Sequence, residues 1–520
     1  MPHPEFFDDP EKALLDTLTP LPVLPVSSKA VIQDAAVGLA AQSGTDARPD
    51  LALAMAKKDP ASSNKPKRRV SRWIRLQLWF NTYRKFFTIV MSFNGVGLLL
   101  AALNIWTYPR RYTGAFILGN LLFAILMRNE LFGRLLYLFV NKAFAKWTPL
   151  WWRLSCTSIL QHLGGIHSGC ATSGFLWLIF RVTLIFIDHK DNHDAVLIMG
   201  VVTNLAVSIS ILSAFPWVRN THHNVFERHH RFIGWLGLLS TWVFVVLGDS
   251  YDLDTHSWNP DGMRVIRQQD FWYTFGMTVL YVLFQQPLRT HITGITLTSH
   301  TICSILIPWF TVREVKVDIE VPSPKVAILR FERGMQQGLL SRVSRSSIME
   351  YHAFGIISEG THAKYHYLIC GVQGDFTRSL VNDPPTHVWT RQLKFSGVSH
   401  TSTLYKRGIR VCTGTGLGVA LSTCLQNPDW YLIWIGSEQE KTFGPTISGL
   451  IHKHIEPERM LIWDSKARGG RPDVMQLVKD KYRSWGAEVV FITSNWAGNK
   501  EIVEGCKAAG IPAFGTLWDF

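Results

Sequence analysis

The chain has 520 residues, enough for two or three domains, and its 47% apolar content is ordinary for a globular protein. The formal net charge is +14, but the basic residues cluster beside hydrophobic segments, which favours anionic lipid headgroups and argues against nucleic acid. Seven cysteines with no C-x-x-C pair argue against a disulfide framework or structural zinc and predict a reducing compartment for the soluble part.

Residues 1–75 read as a disordered tail, rich in Pro, Ala, Ser and Asp, that ends in a basic cluster from Lys57 to Arg75. No early apolar run predicts a cleavable signal. The cluster reads as a cytoplasmic juxtamembrane anchor because a strong membrane segment follows from Phe86. Residues 76–300 read as a transmembrane helical domain. A span needs roughly 20 apolar residues, and six candidates occur: 86–106, 114–133, 155–187, 195–215, 232–248 and 270–287. The third is too long for one simple span. Basic loops (Arg134, Lys142, Lys146 and Arg153, then Arg219, Arg228 and Arg231) alternate with acidic ones (Asp188, Asp191 and Asp194, then Asp249, Asp252, Asp254 and Asp261). That alternation predicts a multi-pass integral membrane protein with both termini in the cytoplasm, although Arg110 and Arg111 fall on the wrong side.

From Val312 the rhythm changes. Val312–Ile319 alternates apolar with polar, and Lys325–Phe331 and Tyr365–Gly371 also read as strands, so residues 301–405 predict a small antiparallel barrel. Residues 406–520 alternate strand with helix, the strands being Ile409–Cys412, Tyr431–Gly436, Met460–Trp463 and Glu488–Ile492. This predicts a doubly wound α/β domain.

Two loops of that last domain carry chemistry. Gly414, Thr415, Gly416 and Gly418 follow a strand and open a helix, where glycine lets the backbone approach a pyrophosphate and the helix N-terminus supplies free N–H groups. A plain strand-to-helix turn is the bland reading of the same residues. After Met460–Trp463, the residues Ser465, Lys466, Arg468 and Arg471 make a basic loop suited to a 2′-phosphate, and hence to NADPH. Asp464 points toward NADH instead, and a solvated basic loop is the bland alternative.

The order of membrane helices, barrel and nucleotide domain resembles the ferric reductase and NADPH oxidase superfamily, with a C-terminal module of ferredoxin–NADP reductase type. His352-Ala353-Phe354 resembles its His-Pro-Phe flavin motif, Gly374-Asp375-Phe376-Thr377 its Gly-Asp-Trp-Thr, and Gly470-Arg471-Pro472 its Gly-Arg-Pro. The resemblance implies FAD between barrel and nucleotide domain, with His352, Phe354 and Ser358 near the ring and ribityl chain. It implies that Gly374, Thr377 and Arg378 cradle the pyrophosphate, and that the terminal Phe520 stacks on the flavin ring beside His352 in the catalytic centre. Three segments, Gln161–Cys170, Phe226–Trp235 and Val503–Cys506, are similar to a fungal TmpA-like transmembrane flavoprotein group linked to development or secondary metabolism. Ala353 replaces the motif's proline, and Thr493-Ser494-Asn495 stands where the family has a late Cys-Gly pair.

The superfamily's two haems need histidines separated by about thirteen residues on each of two helices. Fourteen positions from His167 stand Arg181 and Arg153, and thirteen or fourteen beyond His230 stand Val243 and Phe244, so the spacing predicts no two-haem wire. A single haem between His162 or His167 and His229 or His230 is one reading. An interhelical hydrogen bond for His167 and a headgroup-level basic cap for His229 and His230 is the other, and is preferred. The sequence therefore predicts a membrane flavoprotein passing a hydride from NADPH (or NADH) to FAD and on to an unidentified acceptor. The alternatives are a non-catalytic membrane scaffold with the same fold and a haem-containing ferric reductase or oxidase.

Overall fold

The computed structural model describes residues 70–221, 223–285, 312–346, 351–391 and 394–517. The predicted tail and Phe520 lie outside the described residues.

Helix α1 (Arg72–Trp79) buries none of its residues and exposes Trp73 and Trp79. It is followed by α2 (Thr82–Ala102), α3 (Thr113–Arg128), α4 (Glu130–Ala143), α5 (Leu150–Gln161), α6 (Gly164–Ile187), α7 (Asp194–Ser213), α8 (His223–Ser250) and α9 (Gln269–Gln285). Helices α2, α3, α6, α7, α8 and α9 pack on one another as a bundle. Gly165 and Gly169 let α2 and α6 approach closely: a Cβ on Gly165 would stand 2.2 Å from the Tyr83 carbonyl oxygen, and one on Gly169 2.9 Å from Val90 Cβ. Such small residues are how apolar helices pack without a hydrophobic driving force between them.

Among the described residues, four helical stretches are long and apolar enough to cross a membrane: Thr82–Ala102, Gly164–Ile187, Asp194–Ser213 and His229–Ser250. The six predicted spans are therefore revised. The candidate 114–133 breaks at Asn129, whose side chain caps α4, and the chain turns by 69° there; α3 and α4 together would make a fifth span only as a bent pair. The candidate 155–187 breaks at His162–Leu163 into α5 and α6. The last candidate is helical over its described residues, Gln269–Gln285, and its final two positions lie outside them.

Helices α4 and α5 leave the bundle for the C-terminal module. Their Tyr137, Val140, Cys156 and Leu160 share a core with Leu417, Trp434 and Phe491. Arg153, read from sequence as part of a basic loop, is buried. It forms a two-pronged pair with Glu488 (2.7 and 2.9 Å) and donates to the Leu404 carbonyl. Glu130 pairs with both Arg342 and Arg391.

The antiparallel sheet comprises β1 (Val312–Lys316), β2 (Asp318–Ser323), β3 (Val326–Glu332), β4 (Leu339–Ser344), β5 (His352–Ile357), β6 (Tyr365–Gly371), β7 (His387–Arg391) and β8 (Phe395–Ser396). Their order is β1-β7-β4-β5-β6-β3-β2, with β8 on β4. The single strand expected over Val312–Ile319 is two strands at opposite ends of that order, separated only by buried Val317. A one-residue link between the two ends requires the sheet to curl, which gives the predicted barrel its shape. Helix α10 (Asp375–Asn382) follows β6.

The last domain has β9 (Gly408–Thr413), α11 (Leu417–Gln426), β10 (Trp430–Gly436), α12 (Gln439–His454), β11 (Met460–Asp464), α13 (Val474–Trp485), β12 (Val489–Thr493), α14 (Trp496–Ala508) and β13 (Ala513–Gly515). All pairings are parallel, in the order β11-β10-β9-β12-β13. Strand residues alternate between two cores, Val411 and Ile433 on one face, Cys412 and Trp434 on the other, so both faces are covered. The order reverses between β9 and β12, and ligands of such sheets bind at that switch point beyond the strands' C-terminal ends.

Candidate functional site

The glycine loop lies at the switch point. Gly414 adopts a left-handed backbone with φ of 51°, and a Cβ there would meet nothing within 4 Å, so its outer side is open to a ligand. Its carbonyl oxygen accepts from Trp434 Nε1 at 3.1 Å. A Cβ on Gly416 would stand 2.4 Å from the Thr493 carbonyl oxygen, and the Thr413 and Ser494 hydroxyls are 2.8 Å apart, so the loop is tied to the end of β12. Gly418 has another task. It is buried against Ile369 of β6, and a Cβ on Gly355 of β5 would stand 2.5 Å from the Gly418 carbonyl oxygen. Gly418, expected at the nucleotide phosphates, thus also lets α11 pack closely on the barrel.

That packing joins the two halves of the site. Thr415 lies against Gly371 at the end of β6, and the chain then runs to Gly374 and α10. The Thr377 hydroxyl accepts from the Gln373 and Gly374 amides at 3.0 and 3.2 Å, so Thr377 shapes the turn and is itself largely buried. The first N–H groups of α10 have no intrahelical partner, as at any helix start. A Cβ on Gly374 would meet nothing within 4 Å. Arg378 touches exposed Asp375 only at 3.4 Å. Beside this turn the His352 ring stacks on Phe376 (centroids 4.1 Å apart, planes 22° apart), with Phe354 at 6.3 Å from Phe376.

Ser358 departs from its expected role. Its side chain is fully buried, accepting from the Met335 amide at 2.9 Å and donating to the Gly360 carbonyl at 3.0 Å. Its backbone bonds Ser422 and Gln426 of α11. Ser358 thus fastens barrel to nucleotide domain, its hydroxyl held by the Met335 amide and the Gly360 carbonyl.

The basic loop does not form one clamp. Lys466 Nζ pairs with Glu438 at 2.9 Å, Arg468 lies over the Trp463 ring at 4.5 Å, and the Ser465 amide donates to the Gly436 carbonyl at 2.7 Å. Asp464 accepts from the Lys466, Ala467 and Glu438 amides, and these bonds, that of Ala467 foremost, hold its carboxyl below the usual range. Arg471 goes elsewhere: a Cβ on Gly498 would lie 3.0 Å from its Nη2 and 2.4 Å from Ser494 Oγ. It therefore reaches the switch-point crevice, next to the residue bonded to Thr413, and is exposed.

The sequence reading missed Glu438. It stands 20 positions past Gly418 (438 − 418), just beyond the second strand, the spacing at which dinucleotide folds place a ribose-binding acid.

The C-terminal-domain family model of adenylate-forming reductase 03009 matches residues 398–520. Two curated relatives come from Coprinopsis cinerea. Adenylate-forming reductase 06235 is 29% identical over 459 residues, 87% of this chain and 41% of that protein. Adenylate-forming reductase 03009 is 28% identical over 473 residues, 89% of this chain and 42% of that protein. The chain thus spans about two fifths of the length of the curated relatives it matches. These findings put adenylate-forming reductases where the three short segments suggested a TmpA-like group. Among solved structures, flavohemoglobin from Malassezia yamatoensis matches with a TM-score of 0.34 and 13% identity over 62% of this chain and 96% of that one. Phthalate dioxygenase reductase matches with a TM-score of 0.32 and 10% identity over 40% of this chain and 68% of that one.

Three of the four candidate histidines are held by backbone carbonyls. His167 Nδ1 lies 2.7 Å from the Ala124 carbonyl of α3, and His230 Nδ1 lies 3.1 Å from the Ser210 carbonyl of α7. His162 bonds the Ser158 carbonyl one turn earlier at 2.6 Å, and His229 is exposed. His167 therefore makes the interhelical contact of the preferred reading, and His230, expected in a headgroup-level cap, makes one as well.

Proposed function

We propose that the chain is a membrane-anchored flavoprotein reductase that moves a hydride from a reduced nicotinamide nucleotide, NADPH in the sequence reading, to FAD and on to an acceptor. The observation that carries it is the seating of the glycine loop on barrel strands β5 and β6, with Thr415 against Gly371 and Gly418 against Ile369. One face of the module then offers a dinucleotide loop and, at Gly374–Arg378, a second turn for phosphates. The reductase names of the relatives support the same reading.

The residues present fit a flavin. Gly374 leaves open space at the start of α10, and the stacked His352, Phe376 and Phe354 rings stand next to it. When bound, the flavin supplies the hydride-accepting and electron-donating chemistry. The protein's part is positioning. Gly414–Gly416 and Arg471 would hold the nicotinamide nucleotide's pyrophosphate, Thr377 keeps the α10 turn in shape, and Phe520 would cover the ring. The four apolar helices would hold this module at a bilayer, termini on the cytoplasmic side.

Detergent-solubilised full chain is expected to oxidise NADH or NADPH with ferricyanide as artificial acceptor, and Gly414→Val to abolish that activity. A non-catalytic scaffold is the second reading, favoured by the internal use of Ser358 and the pairing of Lys466 with Glu438.

A further inference from the structure

Strand β10 lies beside β9 and runs parallel to it, so its C-terminal end opens on the same edge as the glycine loop. Glu438 begins the next helix from that edge. It is a non-glycine residue in the left-handed region, with φ of 49°. Such a conformation needs support, and two contacts provide it. The Glu438 amide donates to Asp464 Oδ2 at 3.0 Å, and its carboxylate pairs with Lys466 at 2.9 Å. The Ser465 amide, bonded to the Gly436 carbonyl, ties the same two loops together.

The loops after β10 and β11 thus present two carboxylates at the place where the adenosine ribose of a dinucleotide would lie. The cations expected there are engaged otherwise. Lys466 faces Glu438, Arg468 lies flat on Trp463, and Arg471 points to Gly498 across the crevice. A ribose with free 2′- and 3′-hydroxyls donates hydrogen bonds to a carboxylate. A 2′-phosphate brings a dianion against Glu438 and Asp464, and like charges brought together select against the wrong ligand. We infer that Glu438 makes this crevice select the unphosphorylated adenosine ribose, so that NADH and not NADPH is the preferred nucleotide. This rests on the proposed dinucleotide-binding reading.

The test is calorimetric titration of the purified full chain with NAD⁺ and with NADP⁺. NAD⁺ is expected to bind at least about tenfold more tightly, and Glu438→Gln to narrow the ratio of the two Kd values to about threefold or less, mainly by strengthening NADP⁺. Lys466→Met, which removes the counter-charge, is expected to weaken NADP⁺ further. Tighter binding of NADP⁺ by the wild-type chain overturns the inference whatever the variants do. So does a ratio that Glu438→Gln leaves unchanged while the variant keeps the wild-type melting temperature. Should that variant not fold, Glu438→Asn replaces it, which removes the same charge and tolerates the left-handed backbone, with the same expected direction. Binding of neither nucleotide removes the dinucleotide reading itself, an outcome distinct from binding with the opposite preference.

Discussion

Gly355 of the barrel and Gly418 of the nucleotide domain meet so closely that a Cβ on the first would stand 2.5 Å from the carbonyl oxygen of the second. The contact is backbone to backbone, so a flexible side chain cannot absorb an added methyl. Gly355→Ala is expected to push α11 and its glycine loop off the barrel. Overpacking of this kind costs roughly 1–3 kcal/mol. The melting temperature should fall by several degrees, and nucleotide affinity should weaken about tenfold, as read by thermal unfolding and by NAD⁺ titration.

Arg471 and Arg468 are neighbours in sequence with separate surroundings. Arg471 reaches Gly498 in the crevice, whereas Arg468 lies on Trp463 at the rim. A charge-assisted hydrogen bond is worth about 1.5–3 kcal/mol, so Arg471→Ala should weaken both NAD⁺ and NADP⁺ by about 10–100-fold. Arg468→Ala should change either affinity by less than about threefold. Equal losses in the two variants would mean that the basic loop acts as one clamp after all.

Much of this arrangement was legible in the sequence, and the misses have physical causes. Four of the five strands of the α/β domain are legible nearly to the residue because buried parallel strands are continuous apolar runs between glycine and turn signals, whereas the three-residue edge strand Ala513–Gly515 is too short to leave such a run. The two turns of the candidate site, at Gly414 and Gly374, stand out in the sequence because glycines and a helix start mark them. Helices α4 and α5 were misread as span and loop because composition records apolarity without saying what covers it. Tyr137 and Leu160 are covered by the core of the C-terminal module, and Arg153 is paired with Glu488, distant in sequence. Ser358 is expected near a flavin from the resemblance and Lys466 near a phosphate from its place after a parallel strand, and their partners Met335 and Glu438, which come from other loops, are not visible in either pattern. Glu438 was legible by spacing and was overlooked.

The Arg153–Glu488 pair fastens α5 to the start of β12. Removing one partner of a buried pair costs roughly 3–5 kcal/mol. Arg153→Ala should fall at the lower end, because Glu488 keeps the Lys406 amide at 2.7 Å. Thermal unfolding of the single and double variants gives the coupling. An additive cycle would show that the pair does not hold the two elements together.

Lys394 is buried, its ammonium donating to the Ser341 and Thr390 hydroxyls at 2.8 and 2.9 Å. Burial foremost, and then the Arg333 guanidinium, push its pKa down to about 7. An unfolded lysine titrates near about 10.4, so between these values the unfolded chain binds more protons and stability rises with pH. The cost of the buried charge is complete below about pH 7 and fades toward about pH 10. Lys394→Met should therefore raise the melting temperature by several degrees at about pH 6 and by less at about pH 9, with wild type as reference. A gain independent of pH would refute the assignment to Lys394.

The most direct test of the central claim is the visible spectrum of the full chain purified in detergent with FAD supplied. Oxidised flavin bands near about 450 nm are expected at about one flavin per chain, bleaching when NADH is added without oxygen. A Soret band in the same spectrum would add a haem to the account. A chain that folds, binds no flavin and shows no bleaching would contradict the reductase reading and leave the scaffold in its place.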